Sequence, residues 1–234
     1  MLGNERRSGR LKGIAVDIDG TITFSDRRID CRAIEALRSL DVPVVLATGN
    51  ILCFARAAAK LIGTAGMVIA ENGGAVSLGN EHAEFNSRYL DDCERMFRIL
   101  SERFELERLD PSHRRTEIAL RRNFDMKIAQ ELVHKSGLDV ELVDTGFAMH
   151  IKSVHINKGL GLRRIAELVG ISAKELAAIG DSPNDIEMLQ ESGYGIAVGN
   201  AHNMVKSAVR HVTAGEYGAG VAEAIEHMRK LGLL

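Results

Sequence analysis

Short apolar runs that alternate with helix-like segments are the feature that most constrains the fold of this chain. The runs stand in LKGIAVDID (11–19), VPVVLATGN (42–50) and MVIA (67–70), and the same texture returns in LAAIGDSPND (176–185) and YGIAVGNA (194–201). Strands that are apolar throughout are typical of a parallel sheet with helices on both faces. The pattern therefore predicts an α/β fold with a Rossmann-like parallel-sheet core.

The pattern of apolar and charged residues changes in the middle of the chain. From about 82 to 152 the apolar runs shorten and charged residues become more frequent. Amphipathic helices are predicted for YLDDCERMFRILSERF and FDMKIAQELVHKSG. Strands with one solvent-exposed face are predicted for RTEIALRR, DVELVDTG and FAMHIKS. We therefore expect a catalytic core at 1–81 and 153–234, interrupted by an inserted α+β cap at 82–152.

Composition narrows the function classes. The chain has 234 residues, 45% of them hydrophobic, and a formal net charge of −2, which argues against a nucleic-acid or membrane-surface protein held by bulk charge. There is no long apolar run and no signal-peptide pattern. The N-terminal arm is locally basic and is predicted to be a solvated tail (Arg6, Arg7, Arg10 and Lys12).

The cysteines bear on location. Cys31, Cys53 and Cys93 are odd in number and contain no CxxC pair. They predict buried or half-buried free thiols and a cytoplasmic location, and they exclude a disulfide or zinc framework.

Polar residues follow the apolar runs and predict one site. They are Asp17 and Asp19 after the first run, Thr48 after the second, Asp181 and Asp185 after the fourth, and Lys158 at the start of a helix after the insert. The carboxyl ends of parallel strands are where such sheets bind ligands. Converging carboxylates call for a hard cation such as Mg²⁺, and a hydroxyl and an ammonium suit phosphate oxygens. The residues therefore predict a site for Mg²⁺ and phosphate, with a carboxylate, Asp17, that can attack phosphorus.

These residues resemble the four ordered motifs of the haloacid dehalogenase (HAD) superfamily of phosphatases. The motifs are D-x-D-G-T at 17–21, the strand ending in Thr48, Lys158, and GDSPND at 180–185. The insert resembles the larger C2-type α/β cap of the subgroup with Cof-type sugar phosphatases and phosphomannomutases. TGN at 48–50 departs from the commoner TGR, and together with AENGG and GDSPNDIEML it resembles the archaeal phosphoglycolate phosphatases.

The resemblance implies a role for each residue. Asp17 would be the nucleophile, and Asp19 would protonate the leaving alkoxide and then deprotonate water. Mg²⁺ would bind the Asp17 carboxylate, the Asp19 carbonyl and Asp181, with Asp185 as a further or water-mediated ligand. Thr48 and Lys158 would hold the phosphoryl group. The implied substrate is a small phosphorylated metabolite, first of all 2-phosphoglycolate.

Alternatives remain open from the sequence. One is a Cof-type sugar-phosphate phosphatase or phosphomutase with the same site. A non-enzymatic receiver-like domain is a more distant one, because MVIAENGG lacks its phospho-accepting aspartate and receivers have no such insert. Lys152 competes with Lys158, and the oligomeric state, a homodimer included, stays open.

A phosphoglycolate carboxylate would need a cation or a hydrogen-bond donor in the cap, because burying an unpaired carboxylate has a prohibitive free-energy cost. The segment 113–122 is rich in arginine, and we expect the partner to be Arg115 or Arg121, with His150 as a further candidate. Otherwise His150 and His155 are predicted to be hydrogen-bonded structural histidines.

Overall fold

A computed structural model describes residues 10–234, so Arg6 and Arg7 of the predicted basic tail lie outside the described residues. The strands are β1 (Gly13–Asp17), β2 (Val44–Ala47), β3 (Met67–Ala70), β4 (Ala75–Leu78), β5 (His82–Phe85), β6 (Arg108–Leu109), β7 (Ile118–Leu120), β8 (Val140–Asp144), β9 (Met149–Ser153), β10 (Leu176–Gly180), β11 (Tyr194–Ala197) and β12 (His211–Val212). The helices are α1 (Cys31–Arg38), α2 (Leu52–Ile62), α3 (Leu90–Ser101), α4 (Met126–Ser136), α5 (Lys158–Leu168), α6 (Ile186–Glu191), α7 (Asn203–Ala208) and α8 (Tyr217–Lys230).

Among residues 10–234, the larger sheet has eight strands in the order β12-β11-β10-β1-β2-β3-β4-β5. The strands from β12 to β3 are parallel, and β1 lies between β10 and β2. Every residue of β1, β2 and β10 is buried, as expected for strands covered on both faces. The predicted α/β fold with a parallel-sheet core is confirmed.

One edge of this sheet disagrees with the domain boundary expected at residue 82. The hairpin β4–β5 adds two antiparallel strands, and β5 pairs with β4 from Ala75↔Phe85 to Leu78↔His82. A boundary at residue 82 would assign β5 to the insert, although β5 belongs to the larger sheet because its ladder continues from β4. The domain boundaries otherwise stay a prediction.

We call residues 86–153 the cap. Its antiparallel sheet has four strands in the order β6-β7-β9-β8, and α3 and α4 pack on it through Cys93, Met96, Leu100 and Ala129. The predicted α+β insert is therefore present. The predicted solvent-exposed face is wrong for β7 and β9, which are buried throughout. In β9 the side chain of His150, on the face opposite the helices, lies 3.4 Å from Asn72 of a core loop.

The three cysteines are free, and only Cys93 is buried. Cys31 and Cys53 are exposed, so the expectation of buried or half-buried thiols is wrong for these two. Within residues 10–234 there is no helix with the length and apolar character needed to cross a membrane. The cytoplasmic location stays a prediction.

Candidate active site

The carboxyl ends of three neighbouring strands bring the predicted site together. Asp17 ends β1 and is 2% exposed, Thr48 follows β2 and is fully buried, and Asp181 follows β10. Parallel pairing of β1 with both neighbours makes these ends meet at one edge of the sheet.

Three carboxylates form a cluster at this edge. One oxygen each from Asp17, Asp181 and Asp185 lies within 4.8 Å of the others. Lys158 joins the cluster, with its Nζ 2.5 Å from Oδ1 of Asp17 and 2.6 Å from Oδ1 of Asp185. The lysine is positioned by the start of α5, where the Asn157 side chain accepts from the Leu160 amide at 2.8 Å and caps the helix.

The electrostatics of the cluster follow from burial and like charge. Burial, and then the charge of Asp185, raise the pKa of Asp17 well above its ordinary value, although Lys158 acts in the opposite sense. The same two causes raise the pKa of Asp181 to about 7. Burial would lower the pKa of Lys158, but the carboxylates of Asp17 and Asp185 outweigh it and raise that pKa. The cluster thus holds more negative charge than one lysine compensates.

Short local contacts orient the acidic loop. Oδ2 of Asp185 accepts from the backbone amides of Asp181 at 3.1 Å and Ser182 at 3.0 Å. Thr21 donates its hydroxyl to Oδ1 of Asp181 at 2.8 Å. Gly20 has a φ of +90°, and a Cβ there would lie 2.5 Å from Oδ2 of Asp181, so only glycine lets the two loops approach this closely.

Asp19 lies beside the carboxylate cluster but not in it. Its Oδ2 accepts from the Thr48 hydroxyl at 3.1 Å, and that hydroxyl oxygen accepts from the Asn50 amide at 3.0 Å. The Asp19 side chain is 39% exposed, with its Oδ1 3.9 Å from Nη2 of Arg27. The structure therefore separates a buried acidic group, Asp17, from an accessible one, Asp19, at the same strand end.

A cavity of about 450 Å³ covers this edge of the sheet. Asp17, Asp19, Lys158 and Asp181 line its floor, and the cap contributes Arg114, Thr145, Gly146, Phe147 and His150. At its rim the guanidinium carbon of Arg27 lies 3.4 Å from the centroid of the Phe147 ring, a cation–π contact between core and cap.

The cap arginine that lines the cavity is Arg114, and the expectation that Arg115 or Arg121 would face the cavity is wrong. Arg121 points to solvent and pairs with Glu107 at 2.6 Å. The Arg115 guanidinium lies 4.9 Å from the ring centroid of Phe85, and neither arginine lines the cavity.

The two histidines and Lys152 lie in different environments. His155 is half-exposed and lies 3.4 Å from a carboxylate oxygen of Asp139, as expected of a structural histidine. His150 is buried and hydrogen-bonded, with Nδ1 2.7 Å from Oε1 of Glu117, but it also lines the cavity. Lys152 pairs with Glu141 at 2.5 Å and does not join the carboxylate cluster, whereas Lys158 does.

A polar chain beside the cavity, buried at Asn72 and Glu117, was missed from the sequence. Asn184 donates to Asn72 at 2.9 Å, and Asn72 donates to Oε2 of Glu117 at 2.8 Å. Glu71 and Asn72 have φ values of +48° and +53°, a left-handed backbone that is uncommon outside glycine and often marks functional loops. The sequence signal for this chain is Glu117, an acidic residue directly before the apolar run IAL at 118–120.

Comparison with known proteins agrees with this geometry. The family model described as haloacid dehalogenase-like hydrolase matches residues 14–109 and 121–225. The chain belongs to this family.

Relatives and solved structures add detail. A protein of Methanosarcina acetivorans named phosphoglycolate phosphatase is 52% identical over 95% of this chain and 99% of its own. One of Archaeoglobus fulgidus with the same name is 48% identical over 95% of this chain and 98% of its own. The solved structure of Thermoplasma acidophilum 0175 has a TM-score of 0.81 at 22% identity, covering 96% of this chain and all (100%) of that one. This last likeness shows the fold.

Proposed function

We propose that this chain is a Mg²⁺-dependent phosphomonoester hydrolase that acts through an aspartyl-phosphate intermediate. The observation that carries the proposal is the buried carboxylate of Asp17, which contacts Lys158 at 2.5 Å and shares one strand-end cluster with Asp181. Phosphoryl transfer requires little more than a nucleophile, positioning and neutralisation of charge.

The carboxylates fit a hard divalent cation. They offer oxygen ligands, and the raised pKa values of Asp17 and Asp181 reflect burial and repulsion that a doubly charged ion would relieve. We propose Asp17, Asp181 and the Asp19 carbonyl as ligands. Both oxygens of Asp185 already accept hydrogen bonds, so we assign it a water-mediated role. Bound Mg²⁺ would offset charge on the transferred phosphoryl group.

The residues of the chain supply the steps. A carboxylate oxygen of Asp17 attacks phosphorus as the ester P–O bond breaks, and Asp19 gives its proton to the departing alkoxide. The Thr48 hydroxyl and the Lys158 ammonium hold phosphoryl oxygens. Asp19 then takes a proton from water, which attacks phosphorus, breaks the bond to Asp17 and releases phosphate.

We further propose 2-phosphoglycolate as the substrate, with glycolate and phosphate as products. The names and identities of the archaeal relatives support this, as does a cap that covers the site and favours a compact ester. A Cof-type sugar-phosphate phosphatase or phosphomutase is the second candidate, because a cavity of about 450 Å³ also has room for a phosphorylated sugar.

The test is release of phosphate from 2-phosphoglycolate and from a panel of sugar phosphates by the purified chain. We expect turnover with Mg²⁺, none in EDTA, and recovery when Mg²⁺ is restored. Asp17→Asn should abolish turnover while keeping the far-UV circular dichroism of the wild type. Full activity after exhaustive chelation, or a tenth of the wild-type rate in the variant, contradicts the mechanism. A higher kcat/KM for a sugar phosphate favours the second candidate.

A further inference from the structure

Arg114 is a buried cation with unused hydrogen-bond donors. It is 8% exposed and lines the cavity from the segment between β6 and β7. Its hydrogen bonds to the Gly49 carbonyl, at 3.0 Å, and to Glu117 both use Nη1. Its Nε is buried without an acceptor among residues 10–234, and Nη2 takes part in neither bond. A buried guanidinium with free donors at a cavity wall is suited to an anionic ligand.

Glu117 fixes this arginine next to His150. Its side chain is 1% exposed. Its Oε1 accepts from Arg114 and lies 2.7 Å from Nδ1 of His150, and its Oε2 accepts from Asn72. Both oxygens are therefore engaged, and Glu117 acts on a ligand only through the two residues it holds.

The Arg114 guanidinium lies close to the end of the site that is proposed to bind phosphate. Gly49, which accepts from Arg114, directly follows Thr48, whose hydroxyl donates to Asp19 at 3.1 Å. The residue that accepts from Arg114 and the residue that contacts Asp19 are therefore neighbours in the chain. Such spacing suits a short molecule with a phosphate at one end and a second anion at the other.

We propose that Arg114 and His150 form a subsite for the carboxylate of a short phosphate ester, with Glu117 as its positioning residue. A carboxylate can accept two parallel N–H bonds from a guanidinium, which a hydroxyl of similar size cannot. The subsite therefore selects phosphate esters that carry a carboxylate over phosphate esters that carry a hydroxyl in its place. The assignment of the phosphate end rests on the proposed function.

The test compares 2-phosphoglycolate with 2-hydroxyethyl phosphate, which replaces the carboxylate by a hydroxymethyl group. The measured quantity is the ratio of kcat/KM for the first ester over the second. Arg114→Gln should lower this ratio on the order of 10–100-fold, the usual effect of losing a charged hydrogen bond. Arg121→Gln is the matched control, because it removes an exposed cap arginine, and it should leave the ratio unchanged. An unchanged ratio in Arg114→Gln overturns the subsite.

Binding separates this proposal from the proposed function. In the Asp17→Asn background, calorimetry with Mg²⁺ should show tighter binding of 2-phosphoglycolate than of 2-hydroxyethyl phosphate, and Arg114→Gln should remove the difference. Equal affinities in the Asp17→Asn protein refute the subsite whatever the turnover. If wild type hydrolyses neither ester but this binding preference exists and depends on Arg114, the subsite stands and the proposed function fails.

A second variant covers a failure to fold. Arg114→Lys keeps the charge but loses the planar fork, so it should lower both the kinetic ratio and the binding preference to a smaller extent. A wild-type ratio in a folded Arg114→Lys protein, with its wild-type binding preference also intact, contradicts two-point recognition of the carboxylate by the arginine.

Discussion

In the metal-free protein, Asp181→Asn should raise the free energy of unfolding at pH 8 and change that free energy little at pH 5. Burial and the charge of Asp185 raise the pKa of Asp181 from 3.8 to about 7. Between these values the native state holds a proton that the unfolded chain has lost, so stability falls as pH rises through this window. The variant has an amide that does not ionise, and its oxygen can still accept from Thr21.

The magnitude follows from the pKa. From pH 5 to about 7 the wild type loses about 1.4 kcal/mol of unfolding free energy per pH unit, or about 3 kcal/mol in all. At pH 8 the variant should therefore be more stable by about this amount, which for a chain of this size corresponds to a Tm higher by roughly 6–12 °C.

The assay is thermal unfolding followed by circular dichroism, in EDTA at pH 5 and pH 8. The control is Asp139→Asn, because the Asp139 side chain is 70% exposed and its charge should matter little at either pH. Excess Mg²⁺ should reverse the order at pH 8, because only the wild type keeps the full ligand set and gains the binding energy. If the variant in EDTA at pH 8 is no more stable than wild type, burial and the charge of Asp185 do not raise the pKa of Asp181.

Three further substitutions test single roles. Asp19→Asn should lower kcat by roughly 10²–10⁴ with little change in the Mg²⁺ concentration for half-maximal activity; a loss only in metal affinity would reassign this residue. Lys158→Met leaves the carboxylates of Asp17 and Asp185 facing each other without their cation, and denaturant unfolding at pH 7.5 should show a loss of about 3–5 kcal/mol; a loss below about 1 kcal/mol speaks against the buried pair. Glu117→Gln should lower the kcat/KM ratio of 2-phosphoglycolate over 2-hydroxyethyl phosphate, whereas equal losses on both esters would mean that it only supports the fold.

Much of the catalytic edge was predictable because it depends on local sequence. A buried strand followed by an aspartate fixes both the strand and the place of its carboxylate, as at Asp17 and Asp181. Parallel pairing then brings such ends together without further information. For the same reason the start of α5 located Lys158, since Asn157 marks the helix cap.

The cap side was less predictable because it depends on contacts distant in sequence. Arg114, Arg115 and Arg121 are equivalent by composition, and only the fold turns Arg114 toward Gly49 while Glu107 holds Arg121 at the surface. The strands β7 and β9 look half-exposed in sequence, but core loops cover the polar face. Asn72 is 45 residues from Glu117, too far for any local pattern to pair them.

The contact between Arg27 and Phe147 has a consequence for the timing of turnover. Together with the bonds from Arg114 to Gly49 and from Asn72 to Glu117, it links the cap to the core across the mouth of the site. Each contact contributes about 1 kcal/mol net, and the Glu71 carboxylate of the core also accepts hydrogen bonds from Arg115 and Thr116 of the cap. Molecules with the cap lifted are therefore a minor population. Departure of product then has to wait for this minor population, and slow opening steps of this kind limit many enzymes. A weaker link at Phe147 would raise the lifted fraction, so a loss of contact at the rim can make the catalyst faster.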